Sequence, residues 1–112
     1  MKSKLLGDSM AREQFQTLTE PMYYILLALL EESCGVDIME KVKTLSHGRV
    51  VVGPGTLYAM LAKFEENGII CLTASEGRRK SYVITETGRE MLRKEYERLK
   101  TMVEDGAGKI EL

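Results

Sequence analysis

Nine consecutive apolar residues, Met22–Leu30, form the longest such run in this 112-residue chain. They constrain the fold more than any other stretch. A helix that crosses a bilayer needs about 20, so the run reads as a core helix. Thr19-Glu20-Pro21 supplies a capping hydroxyl, an acid and a proline inside the first turn, and Cys34-Gly35 is the expected end. A helix apolar nearly all round must be wrapped by the remaining elements. The length suffices for one domain with one core, spanning residues 1–112.

The other elements fall into place around that helix. Residues 9–18 are expected to form a short leading helix with Met10, Phe15 and Leu18 apolar. Asp37 can cap a helix in which Ile38, Val42 and Leu45 recur at helical spacing, and Gly48 stops it. The stretch GPGTLYAMLAKFEENGII (53–70) predicts a helix opened by Pro54 and closed by Asn67-Gly68. Leu57, Met60, Leu61 and Phe64 share one face of it. The opposite face carries Gly55, Ala59, Ala62 and Lys63, almost nothing large. IICLTAS, EGRR and KSYVIT read as a hairpin with Arg78, Arg79 and Lys80 at its tip. Thr85 caps a last helix over 86–105, where Leu92, Tyr96, Leu99 and Val103 form a heptad-like seam flanked by Met91 and Met102. The core proper is expected over 19–85. The fold class is α+β, mostly helical.

The chemistry the chain can support is narrow. One histidine, His47, has no evident partner and suits a helix C-terminus. Glu90, Lys94 and Glu97 alternate in sign as solvated ion pairs do. GPG lacks the spacing of a phosphate-binding loop. No catalytic residue, metal ligand or cofactor is expected. Cys34 and Cys71 read as buried free thiols of a cytoplasmic protein. The N-terminus has lysines but no apolar core of a secretion signal, and no membrane association is expected.

Charge is segregated. The net value is −1, from 16 basic and 17 acidic residues. Yet the stretch from Lys41 to Lys63 holds Lys41, Lys43 and Arg49 with no acid, and Arg78, Arg79 and Lys80 form a second cluster. A helix bare of large side chains lets its backbone approach the major groove of double-stranded DNA, through Gly55, Ala59 and Ala62. Thr56 and Tyr58 can donate hydroxyls to phosphates near its start, Lys63 can neutralise one farther along, and the hairpin tip can meet the backbone.

These residues carry a resemblance. Pro54-Gly55-Thr56-Leu57-Tyr58, Leu61, Glu65, Asn67-Gly68, Gly77-Arg78-Arg79-Lys80-x-Tyr82 and Thr85-x-x-Gly88 are similar to the PadR family of bacterial transcriptional regulators, over about residues 20–105. The resemblance implies a winged helix-turn-helix, a homodimer joined through the terminal helices, and repression, often relieved by a small aromatic or cationic compound. It implies a dimer interface from Phe15, Met91, Leu92, Tyr96, Leu99, Met102 and Val103. The chain departs from the family in having Gly53 where Ser is common and Val36 where Tyr is common, and it has no Trp. A DNA-free module for protein–protein contact through the same seam is the rival reading. The three bases at the hairpin tip argue against it.

Overall fold

A computed structural model describes residues 17–110. The leading helix expected over 9–18, with Met10 and Phe15, lies outside them apart from Thr17 and Leu18. The described order is α1 (Glu20–Ala28), β1 (Ser33–Cys34), α2 (Gly35–Leu45), α3 (Pro54–Glu66), β2 (Ile70–Glu76), β3 (Arg79–Ile84) and α4 (Glu86–Ala107).

The apolar run forms the central helix. Ile25, Leu26 and Leu29 are fully buried and sit in one cluster with Ile38 and Val42 of α2 and Leu57, Leu61 and Phe64 of α3. Thr19 caps α1, its Oγ1 accepting from the amide of Met22 at 3.4 Å. Two boundaries beside β1 differ from the expectation. Helix α1 ends at Ala28, not at Cys34-Gly35, because Ser33 and Cys34 are drawn into a short strand opposite Tyr82 and Ser81. Helix α2 therefore starts at Gly35, with Asp37 inside its first turn and Cys34 at the cap.

Ser46, itself buried, fixes the turn from α2 to α3. Its Oγ accepts from the amide of Val50 at 3.0 Å. His47 and Gly48 take left-handed backbone angles, and Val50 and Val52 drop into the core. Helix α3 then opens at Pro54 with Gly53 as cap, where the proline costs no hydrogen bond because first-turn amides have no partner inside the helix.

The sheet has three strands in the order β1-β3-β2, all antiparallel. The two-stranded hairpin expected from sequence is present, with β1 added to its inner edge. Its turn is only Gly77-Arg78, since Glu76 already pairs with Arg79; Gly77 has φ +60°, a conformation that costs glycine little. Arg79 and Lys80 thus lie in β3, next to the tip and not on it. Cys71 is exposed on the outer strand, whereas Cys34 is buried as expected. The sheet joins the helices through Ile84, whose amide donates to the carbonyl of Leu29 at 2.9 Å. Thr85 caps α4, accepting from Gly88 at 3.1 Å. A side chain at Gly88 would collide with the carbonyl of Ile69, so α4 leaves the sheet by way of a glycine.

Candidate nucleic-acid interface

Helix α3 turns Leu57, Leu61 and Phe64 inward, and each is essentially fully buried. Gly55, Thr56, Tyr58, Ala59, Ala62 and Lys63 are all exposed. A methyl group built on Gly55 meets nothing within 4 Å. The bare face read from the sequence is therefore open in the folded chain.

The hairpin rises beside that face. Tyr58, Ala62 and Glu65 of α3 form one wall of a groove of about 760 Å³. Arg78, Arg79 and Lys80 form the opposite wall, and the first turn of α2 closes the end. The helix and the basic cluster thus share one side of the molecule. Tyr58 is half exposed, and its hydroxyl lies so close to Gly35 that a Cβ there would stand 2.5 Å from the oxygen. A side chain at that position would push the ring aside from where it lies, across the start of α2.

The basic residues are not equivalent. Arg78 is exposed in the turn. Arg79 leans back toward α2, donating to Cys34 Sγ at 3.4 Å and standing 4.0 Å from Asp37. The bond to Cys34 and then the field of Asp37 hold its pKa above the ordinary arginine value. Lys43 is exposed in the last turn of α2. Lys41 points elsewhere: its ammonium donates to Ser33 Oγ at 2.6 Å, and it lines a separate hollow between α1 and α2. The fold does not bring it together with α3 and the wing.

Sequence reasoning passes over Tyr82, Asp37 and Glu65 as site residues, yet all three line the groove. Tyr82 is visible there only as the last letter of the Gly77–Tyr82 pattern. Burial, and after it the charge of Glu65, pushes its phenol pKa up.

Helix α4 has two sides. Met91 and Leu92 are buried within the protomer. Tyr96, Leu99, Met102 and Val103 are exposed, Val103 by 71% and Met102 by 55%. An open hollow of about 390 Å³ between Tyr23, Leu30, Leu92 and Tyr96 adjoins the exposed stretch. Glu95, by sequence one of the ordinary helix-surface acids, is only 5% exposed. It accepts from the amide of Leu18 at 2.9 Å and from both ends of the Arg98 guanidinium at 2.6 and 2.9 Å. Among the described residues no helix is long and apolar enough to cross a membrane.

Comparison with known proteins agrees with this geometry. The model of the transcriptional regulator PadR-like family matches residues 25–94. A transcriptional regulator from Clostridium thermocellum, Cth-833, superposes with a TM-score of 0.67 at 26% identity, covering 83% of this chain and 95% of that one. A PadR-like transcription factor from Bacteroides fragilis shares the fold at a TM-score of 0.66 and 23% identity, with 97% of each chain covered. The transcriptional regulator YqjI of Escherichia coli K12 is 27% identical over 75 residues, which are 67% of this chain and 36% of YqjI. The chain thus spans little more than a third of the curated relatives it matches.

Proposed function

The chain belongs to the PadR-like family of transcriptional regulators, which bind DNA and are not enzymes, and on that premise we propose that it is a sequence-specific, ligand-responsive repressor acting as a homodimer in the cytoplasm. Residues 19–85 read the DNA and 86–105 join the two protomers. The observation that carries the DNA role is the shared side: a helix face without large side chains beside a wing bearing three bases. Gly55 and Ala59 admit the groove edge to the helix backbone, and Thr56, Tyr58 and Lys63 meet the flanking phosphates. Lys43, exposed in the last turn of α2, adds a further charge in this reading.

The homodimer is supported by the apolar stripe Tyr96, Leu99, Met102 and Val103, which a small protein does not leave in water without cost. Met91 and Leu92 support it from beneath, as the packed layer on which the stripe rests. Phe15, outside the described residues, belongs to the same interface in this reading. A planar aromatic or cationic effector fits between the protomers, where methionines give adaptable walls and the hollow beside Tyr96 offers room.

Salt dependence tests the DNA role. A dimer carries two wings and six wing charges. With four of them on phosphates, each contributing about −0.9 to the log–log slope, replacing Arg78, Arg79 and Lys80 by alanine flattens the slope by about 3 to 4 units. The loss is equal for specific and random duplexes, because phosphate contacts carry no sequence information. Fluorescence anisotropy across a salt series measures it, and a wild-type slope in the triple variant removes the wing from the interface.

A further inference from the structure

The groove between α2, α3 and the wing holds a polar group that the protein itself leaves unsatisfied. Tyr82 is 7% exposed and its ring belongs to the core. Its hydroxyl makes no hydrogen bond with any described residue, and the oxygen is not sealed from solvent. It therefore opens into the groove that the residue lines. The hydroxyl is thus free to donate to whatever enters the groove, solvent or ligand.

Two further features converge on the same place. No side chain caps the first turn of α2, because the Cys34 thiol donates to Asp37 Oδ2 at 3.3 Å, and Gly35 and Val36 line the groove end. Arg79 crosses from the wing to this turn. An unfilled hydroxyl, a guanidinium and free helix amides together are the donor set that a phosphate oxygen accepts from. Two carboxylates, Asp37 and Glu65, share the lining with three cations, so the balance is positive. Asp37 already sits as an anion at a helix start, facing Arg79.

We propose that this groove seats one phosphodiester of the DNA backbone per protomer, with the Tyr82 hydroxyl and the Arg79 guanidinium donating to it, and with Asp37 holding Arg79 in position until the phosphate replaces it. The inference rests on the DNA-binding reading above and adds Tyr82 and Asp37 to it. Asp37 acts as an internal substitute for phosphate. It keeps the guanidinium over α2 in the free protein, and the incoming backbone displaces it.

The test uses the full chain and a mixed-sequence duplex of about 30 base pairs, read by fluorescence anisotropy, with melting curves as the control for folding. Tyr82→Phe removes one oxygen that bonds nothing in the protein, so the melting temperature holds. Duplex affinity falls about tenfold, the size of one hydrogen bond to a charged group. The salt slope stays, since a neutral donor releases no counterion. Asp37→Asn, on the surface, tightens binding several-fold, and that gain disappears in an Arg79→Ala background because Asp37 works through Arg79. A folded Tyr82→Phe protein with wild-type affinity overturns the seat, as does an Asp37→Asn protein that binds more weakly. Adenosine monophosphate probes the other source of the same chemistry. A Tyr82-dependent rise in melting temperature with it, alongside duplex binding that Tyr82→Phe leaves unmoved, makes the groove a nucleotide site and overturns the DNA assignment. A wild-type chain that binds no duplex brings down the DNA-binding reading itself, and the seat with it. Normal wild-type binding unmoved by Tyr82→Phe brings down the seat alone.

Discussion

Helices α3 and α4 both leave one face uncovered, and they do it in opposite ways. The open face of α3 carries Gly55, Ala59 and Ala62, so little apolar area meets water there. The open face of α4 carries Tyr96, Leu99, Met102 and Val103, four large side chains. A face of small residues gains nothing from water leaving it, but it lets the helix backbone come close to a concave partner. A face of large apolar residues gains about 25 cal/mol for each Å² removed from water, so it favours a partner of the same kind. The first arrangement suits the wall of a nucleic-acid groove and the second suits another copy of α4. On the proposed reading, the chain thus separates what it reads from what it pairs with, on two different helices.

The sharpest way to break this contrast is to put charge on the bare face. Ala59→Glu places a carboxylate where the groove edge would lie, against a polyanion. Specific binding is then lost down to the level of random DNA, a difference of about 4–10 kcal/mol for regulators of this kind. The substitution sits on an exposed position, so the protein stays folded and its association state does not change. Anisotropy with the operator, and circular dichroism for the fold, give the answer. Normal operator binding by the variant would mean that α3 is not in the groove.

The second contrast lies within α4 itself. Leu92 is 6% exposed and belongs to the core of the protomer, whereas Leu99 is 37% exposed. By sequence both belong to one seam, and their spacing of seven gives no reason to part them. Leu92→Ala opens a cavity in the protomer and costs about 2–5 kcal/mol of folding stability, seen as a lower melting temperature at every protein concentration. Leu99→Ala, in the proposed dimer, acts at the interface. It shifts sedimentation toward monomer at micromolar concentration and lowers the melting temperature mainly by weakening association, so that its effect grows on dilution. If Leu99→Ala leaves a tight dimer, the exposed stripe is not the joint.

That pair shows where the sequence is legible and where it is not. Helix α3 is readable in full, because its start, stop and apolar period are all local: Pro54, then Leu57, Leu61 and Phe64, then Asn67-Gly68. The wing is readable as two β-type runs around a glycine. What escapes depends on partners far along the chain. β1 is two residues long and exists only through its pairing with β3, so no local pattern announces it. The end of α1 moves because that pairing draws the chain out of the helix. Arg79 reads from sequence as a tip residue, since the two-residue turn is set by register and not by composition. Cys71 reads as buried because its neighbours are apolar, but β2 is an outer strand with an open face. In the candidate site, the bare helix and the basic cluster are visible. Tyr82, Asp37 and the redirected Lys41 are not: Asp37 and Lys41 are placed by side chains on other elements, and Tyr82 lines the groove only once the hairpin folds beside α3.

Glu95 carries the contrast between the two sides of α4 into its titration. It lies on the inward side, one residue from the exposed Tyr96, and it ties the chain at Leu18 to the helix through the amide bond and the Arg98 pair. The Arg98 hydrogen bond foremost, and the Leu18 amide after it, lower its pKa from 4.5 in spite of burial, which acts the other way. A carboxyl whose folded pKa is depressed stabilises the fold above its unfolded value, and that contribution fades as pH falls through the lower, folded value. The wild-type protein therefore loses stability on acidification below about pH 4.5 partly through this group. Glu95→Gln keeps an oxygen for the Leu18 amide but loses the ion pair. At neutral pH it costs about 1 kcal/mol, less than any of the losses above. Urea melts across pH 3–7 compare the two proteins: their stabilities should converge toward the acid end, because protonation removes from the wild type what the substitution has already removed. A gap that stays constant with pH would show that Glu95 does not act through its charge. The tie at Leu18 would then be a matter of shape alone, and the inward side of α4 would owe its order to packing.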